Sequence, residues 1–163
     1  MKINTIYHLA FYILIFTILF EFVLGFYRNF RRANTYKKAL QKSREVKKPL
    51  LVIGNPNSGF LGSIKSYYGC GDVCVDLVGC DKCEKSIKGD ILDVLKNLPD
   101  NSHVIFESCV LEYIEKPKKK LILNEIKRVS NGLFFEVRIN PTIIANILDY
   151  VPYFDSLIEN GLN

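Results

Sequence analysis

The chain has 163 residues, a formal net charge of +5, five Cys and no Trp. That length allows one domain with an adequate core beside an anchoring segment, and excludes a second domain. Neither an internal repeat nor a low-complexity tract is visible, so solenoids and compositionally biased tails are excluded as well.

The first predicted element is Ile6 to Tyr27, IYHLAFYILIFTILFEFVLGFY, an almost unbroken apolar run. About 22 residues at ~1.5 Å each span roughly 33 Å, enough for a ~30 Å hydrocarbon core. Glu21 would cost about 2.5–3.5 kcal/mol at mid-membrane, but it lies toward the C-terminal end, and His8 is close enough to the other end to reach headgroups. A cleaved signal peptide fits less well, because Lys2 alone precedes the run and Gly25-Phe26-Tyr27 is a poor cleavage site. No polar stripe marks an amphipathic surface helix, and few core helices are apolar on every face. The pattern predicts a transmembrane anchor over residues 1–28.

A basic neck follows over residues 29–48. Arg28, Arg31, Arg32, Lys37, Lys38, Lys42, Arg44, Lys47 and Lys48 face one acid, Glu45. An excess of Lys and Arg beside a span marks the cytoplasmic side, so the remainder is expected in the cytosol as a single-pass protein whose neck meets anionic lipid. Nucleic acid is the weaker partner, because the neck is not an interleaved aromatic stacking platform. ANTYKKALQKSREV within it fits a helix, either continuous with the anchor or separate.

Residues 49–163 read as one α/β domain. PLLVIGN (Pro49 to Asn55) is a short apolar run ending in Gly, as expected of a strand buried on both faces. A Gly-, Asn- and Ser-rich loop leads to a second strand, DVCVDL (Asp72 to Leu77). VGCDKCEKSIKGD is expected as a connection with little helical character. ILDVLKNLPD has helical spacing up to Pro99. SHVIFESCVLEYI begins as a third strand through Phe106 and turns helical at Val110, Leu111 and Ile114. KPKKKLILNEIKRVS is expected as a helix with Leu121, Ile122, Ile126 and Val129 on one side, and GLFFEVRI (Gly132 to Ile139) as a fourth strand. A helix opened by Pro141 and broken near Pro152 closes the chain. Apolar strands alternating with helices predict a Rossmann-like, doubly wound, mostly parallel sheet, truncated on its C-terminal side, with ligands outside the strands' carboxyl ends.

The order of these signals resembles the class I S-adenosylmethionine-dependent methyltransferases of the methyltransferase-domain type, over about residues 49 to 140. LLVIGNPNSG stands where that family has a Gly-rich turn against the cofactor. Asp76, about 22 residues past Gly54, stands where an acid takes the ribose hydroxyls. Gly89-Asp90-Ile91 matches an adenine-contacting element, NSHVIFESCVLEYI is similar to the family's "D-V-I-F-x-x-x-V-L-E-H-I", and LNEIKRVSNGLFFEVRI resembles its "E-I-x-R-V-L-x-P-G-G" helix and next strand. The resemblance implies S-adenosylmethionine as cofactor, bound by Gly54, Asn55, Gly59, Asp76, Leu77, Asp90, Ile91 and Glu107, with an unidentified methyl acceptor.

The chemistry of these residues agrees with that carry-over. A carboxylate accepts two hydrogen bonds from vicinal hydroxyls, and a Gly lets backbone approach a ligand. Plainer roles stay open, a simple turn at Gly54 and Gly59, a cap at Asp76, and a helix N-cap at Asp90. The turn G-N-P-N-S-G departs from G-x-G-x-G, and no catalytic base is assignable. Methyl transfer to a good nucleophile can proceed by proximity and orientation alone.

Cys70, Cys74, Cys80 and Cys83 cluster as C-x3-C-x5-C-x2-C. The tight Cys80–Cys83 spacing suits a zinc knuckle, Cys74 suits a small core residue, and cytosolic placement argues against disulfides. Ordinary thiols, a four-Cys zinc site, or a redox or catalytic role for Cys80 and Cys83 are thus the expectations. Three functional classes compete: a membrane-tethered methyltransferase, an inactive Rossmann-like assembly module, and a nicotinamide oxidoreductase. The last is disfavoured because G-x-G-x-x-G is absent.

Overall fold

The computed structural model describes residues 3–57 and 68–138, with backbone alone at residues 3–6, 21, 22, 25 and 28. The apolar run and the basic neck form one continuous helix, α1 (Ile3–Val46). Its neck half is rich in Lys, Arg, Gln, Glu, Ala and Leu, all good helix formers, and has neither Pro nor Gly to interrupt it. The helix stops where Lys47 takes the left-handed conformation (φ 54°), two residues ahead of Pro49.

Along the apolar half, large side chains from Tyr7 to Tyr27 are exposed on all sides of the helix. Residues 21, 22 and 25 interrupt the described part of the run, and among the described residues no helix is long and apolar enough to cross a membrane.

Five short strands follow: β1 (Leu50–Ile53), β2 (Val73–Asp76), β3 (Ser86–Lys88), β4 (Val104–Ser108) and β5 (Phe134–Val137). All neighbours pair in parallel in the order β3-β2-β1-β4-β5. Helix α2 (Ile91–Lys96) leads into β4, and α3 (Lys116–Ser130) joins β4 to β5. The fold is therefore an α/β domain with an all-parallel, Rossmann-like sheet, as the alternation of strand and helix patterns predicts.

Alternation along β1 sends Leu51 and Ile53 to one face and Leu50 and Val52 to the other. The first face is covered by Leu92 and Leu95 of α2 and Ile122, Ile126 and Val129 of α3. The second is covered by the neck half of α1, where Tyr36, Ala39, Leu40 and Val46 pack against Leu50, Val52, Cys74 and Phe106. Tyr36 meets Phe106 edge-on with ring centroids 5.4 Å apart. Burial on both sides explains why the strands read as continuous apolar runs.

The end of α1 is pinned to the start of the sheet. Arg44 donates two hydrogen bonds to Asp72 (3.1 and 2.9 Å), and Asp72 accepts a third from the Leu50 amide at 2.8 Å. Since Val46 lies just before β1, the helix runs back across the sheet toward the strands' C-terminal edge and continues past it.

Four local expectations are corrected. The connection VGCDKCEKSIKGD contains β3, a strand legible in neither periodicity nor composition. It pairs only with the last turn of pleat in β2, Cys74 opposite Ser86 and Asp76 opposite Lys88. The chain thus returns by only two residues, roughly 7 Å, and needs no crossover helix. The third expected strand runs to Ser108 rather than Phe106, and the helical spacing after it yields one 3₁₀ turn, Leu111–Tyr113. Leu121 points to solvent, because the buried stripe of α3 follows Ile122, Ile126 and Val129. The expected helix after Pro141 lies outside the described residues.

Candidate ligand site

A cavity of about 540 Å³ opens at the C-terminal ends of β1, β2 and β4, where strand order reverses between β1 and β4. Its floor is the turn after β1. Gly54 has φ +98°, and its amide donates to the Val75 carbonyl at 2.9 Å. A Cβ at this position would lie 2.5 Å from Cγ2 of Val110, so both conformation and space require glycine.

Asp76, the last residue of β2, faces the same cavity. Its Oδ2 accepts from the Asn55 amide at 2.9 Å and its Oδ1 from the Val78 amide at 3.0 Å. Those two bonds hold the carboxylate in place and leave lone pairs for a ligand, since two oxygens offer about four acceptor sites. Leu77, Gly89, Asp90 and Ile91 complete that side. Asp90 serves as the N-cap that its position suggested. Its Oδ1 caps α2 by accepting from the Leu92 amide at 2.9 Å, while Oδ2 pairs with Lys118. The Lys118 ammonium holds the Asp90 carboxyl below the usual carboxylate range.

Seven of the expected cofactor-binding residues can be located, and six line one cavity: Gly54, Asn55, Asp76, Leu77, Asp90 and Ile91. Glu107 does not join them. It is buried under the cavity wall, where Oε1 accepts from the amides of Val110 and Leu111 and shapes the turn after β4. Burial pushes its pKa up to about 7, against the lowering effect of those two amides. Gly59 lies outside the described residues.

Several cavity residues were missed as ligand contacts. Asn29 and Arg32 come from α1, from a segment whose charges read as a topology signal. Arg32 donates to Asn29 Oδ1 at 3.4 Å and to Cys109 Sγ at 3.5 Å, while its buried Nε has no hydrogen-bond partner among the described residues. Cys109 is buried and left-handed (φ +66°), a strained conformation for a non-Gly residue at a strand end. Tyr68 lies beside it, its phenol pushed up to about 12, chiefly by burial. Lys118 comes from α3. Two of them carried a sequence signal for this edge: Cys109, which follows the third predicted strand, and Tyr68, in the loop SYYGCGD ahead of the second.

The cysteine cluster departs from the expectation of free thiols. Cys70 is bonded to Cys83 and Cys74 to Cys80, and Cys109 is the remaining thiol. Loop 77–85 folds back over the end of β2 to pair β3, which brings the Cα atoms of each pair to 5.6 and 6.2 Å, within disulfide range. Cys74 is therefore a cross-link as well as a core residue. The same loop clasps the floor of the cavity, for Asn55 donates to Asp81 Oδ2 at 3.2 Å and Asn57 donates to the Asp81 carbonyl.

The chain is therefore an α/β domain with an all-parallel, Rossmann-like sheet and a cavity at its switch point. Comparison with protein-family models, with curated proteins and with solved structures finds no match.

Proposed function

We propose that the chain is a membrane-tethered, methyltransferase-like domain that binds S-adenosylmethionine in the cavity above Gly54. The observation that carries this reading is the convergence of a Gly turn after β1 and an acid at the end of β2 on one cavity at the switch point. The residues fit such a ligand. Asp76 offers acceptors to paired hydroxyls, the Gly54 backbone permits close approach, and Ile53, Val75 and Ile91 give apolar walls for a ring. Arg32, whose Nε is unpaired among the described residues, offers a donor to a ligand carboxylate. The cofactor brings an electrophilic methyl group. The chain contributes binding, orientation and exclusion of water.

The tether reading is supported by the sequence of the apolar run and by the exposure of its described side chains on all sides, and the basic neck favours a cytosolic domain. One observation favours the alternative of an inactive assembly module: both Asp76 oxygens already accept from backbone amides.

Calorimetry on the full chain in detergent decides between them. S-adenosylhomocysteine should bind with micromolar or tighter affinity, and Asp76→Ala should weaken binding at least about tenfold, the loss of one or two charge-assisted hydrogen bonds. A folded chain that binds no S-adenosylhomocysteine would leave the assembly module.

A further inference from the structure

The cavity and the apolar run share one helix without a break. Asn29 and Arg32, which line the cavity, stand two and five residues past Tyr27, the last residue of the run. At ~1.5 Å per residue that is roughly 3–8 Å along the axis. Because α1 crosses the sheet from the start of β1 toward the strands' C-terminal edge, the apolar half projects beyond that edge. The edge carrying the cavity thus faces the same way as the apolar run. It also carries exposed apolar side chains on the loops after β2 and β4, where Leu77 is 68%, Val78 75% and Tyr113 79% exposed. Arg32 lines the cavity, and Arg31 and Arg32 stand four and five residues past Tyr27, close enough to the apolar run to meet phosphate headgroups.

We propose that the cavity opens onto the bilayer surface and that the methyl acceptor is an amphiphilic lipid presenting a nucleophilic headgroup there. This rests on the methyltransferase reading above and adds the substrate class. The acceptor's nitrogen or oxygen forms the new bond to the methyl carbon as the sulfonium C–S bond breaks. The electron pair stays on sulfur and the acceptor's proton leaves to water. Loops carrying Leu77 and Val78 enter the interface, which keeps a bound headgroup within reach without desorption of the lipid.

The full chain reconstituted in phosphatidylethanolamine and phosphatidylglycerol vesicles tests this in two ways. With no native Trp, Val78→Trp supplies a single fluorophore, and brominated lipid should quench it several-fold more than Lys96→Trp at the opposite edge. Incubation with S-adenosylmethionine carrying a tritiated methyl group should put label in the organic extract. Equal quenching of the two variants would overturn the orientation. Label in protein alone, or none in lipid from a chain that binds S-adenosylhomocysteine, would overturn the lipid acceptor and leave the cofactor reading standing. A folded chain that binds no S-adenosylhomocysteine overturns both.

A second inference stands on the cysteines alone. The Sγ atoms of Cys74, Cys80 and Cys83 lie within 4.8 Å of one another, and Cys70 is bonded to Cys83. Tetrahedral Zn–S bonds of about 2.3 Å put sulfurs roughly 3.8 Å apart, so small movements convert two disulfides into four ligands. Disulfides belong to oxidising compartments, whereas the basic neck favours the cytosol. We infer that in a reducing compartment these four thiolates hold one zinc ion. A dithiol gives each disulfide two electrons and two protons, and zinc then displaces the thiol protons. The phosphine-reduced full chain should take up one zinc per chain and, with cobalt(II), show the intense visible bands of a tetrahedral thiolate. Cys80→Ser should lower zinc affinity at least about tenfold. Wild-type chain that is fully reduced yet takes up no zinc and gives no such cobalt bands would overturn the site.

Discussion

Gly54 and Glu107 show how single residues shape the cavity from opposite sides of its wall. Gly54→Ala adds a methyl group 2.5 Å from Val110 at a positive φ. We expect a loss of about 1–3 kcal/mol in stability and a larger proportional loss of S-adenosylhomocysteine affinity, measured by thermal denaturation and calorimetry. Adding Val110→Ala should restore only the steric part. For Glu107 the sign follows from its raised pKa. The folded state binds its proton more tightly than the unfolded state, so its contribution is fully present below about pH 4.5 and lost as pH rises through about 7. Glu107→Gln retains an acceptor for the Val110 and Leu111 amides without the buried charge. Its stability relative to wild type should therefore rise between pH 5 and 8, by about 2–3 kcal/mol at most, read from chemical denaturation at several pH values. The resemblance implied Glu107 as a ligand contact. Which side of the wall its carboxyl occupies depended on the turn it caps.

At the scale of elements, the Cys-rich loop holds the turn after β1 from outside through Asp81 and Asn55. The Cys70–Cys83 link closes a loop of sequence separation 13, and Cys74–Cys80 one of 6. Entropy of such loops amounts to about 3 and 2 kcal/mol. Reduction in the presence of a chelator should lower stability by about 2–5 kcal/mol and weaken S-adenosylhomocysteine binding, because Asn55 loses its clasp. Unchanged stability after full reduction would show that β3 and its loop hold by packing alone. β1, β2, β4 and α3 were legible because burial on both faces, or on one helical stripe, leaves a strong local pattern. β3 was not, since its three exposed residues carry no apolar signal and owe their conformation to pairing with β2.

For the whole molecule, the continuity of α1 sets how the domain sits against whatever holds its apolar half. Asn34→Pro, at an exposed position of the neck, removes a helix hydrogen bond and clashes with the carbonyl one turn back, a cost of about 3 kcal/mol with a kink. It should reduce lipid quenching of Val78→Trp while leaving the sheet intact by circular dichroism. Insensitivity to the kink would mean that the loops, rather than the helix, set the orientation.

Sequence alone determined the apolar run, its basic flank, the strand–helix alternation and the residues Gly54, Asp76 and Asp90 at the cavity. Each depends on local conformation or on the fixed relation between a parallel strand and the loop that ends it. Tertiary structure alone decided that Asn29 and Arg32 enter the cavity, that Glu107 stays beneath it, that the cysteines pair as they do, and that the cavity edge and the apolar run point the same way. Those facts arise from contacts between residues far apart in the chain, where packing of α1 across the sheet, and no short-range pattern, chooses the neighbours.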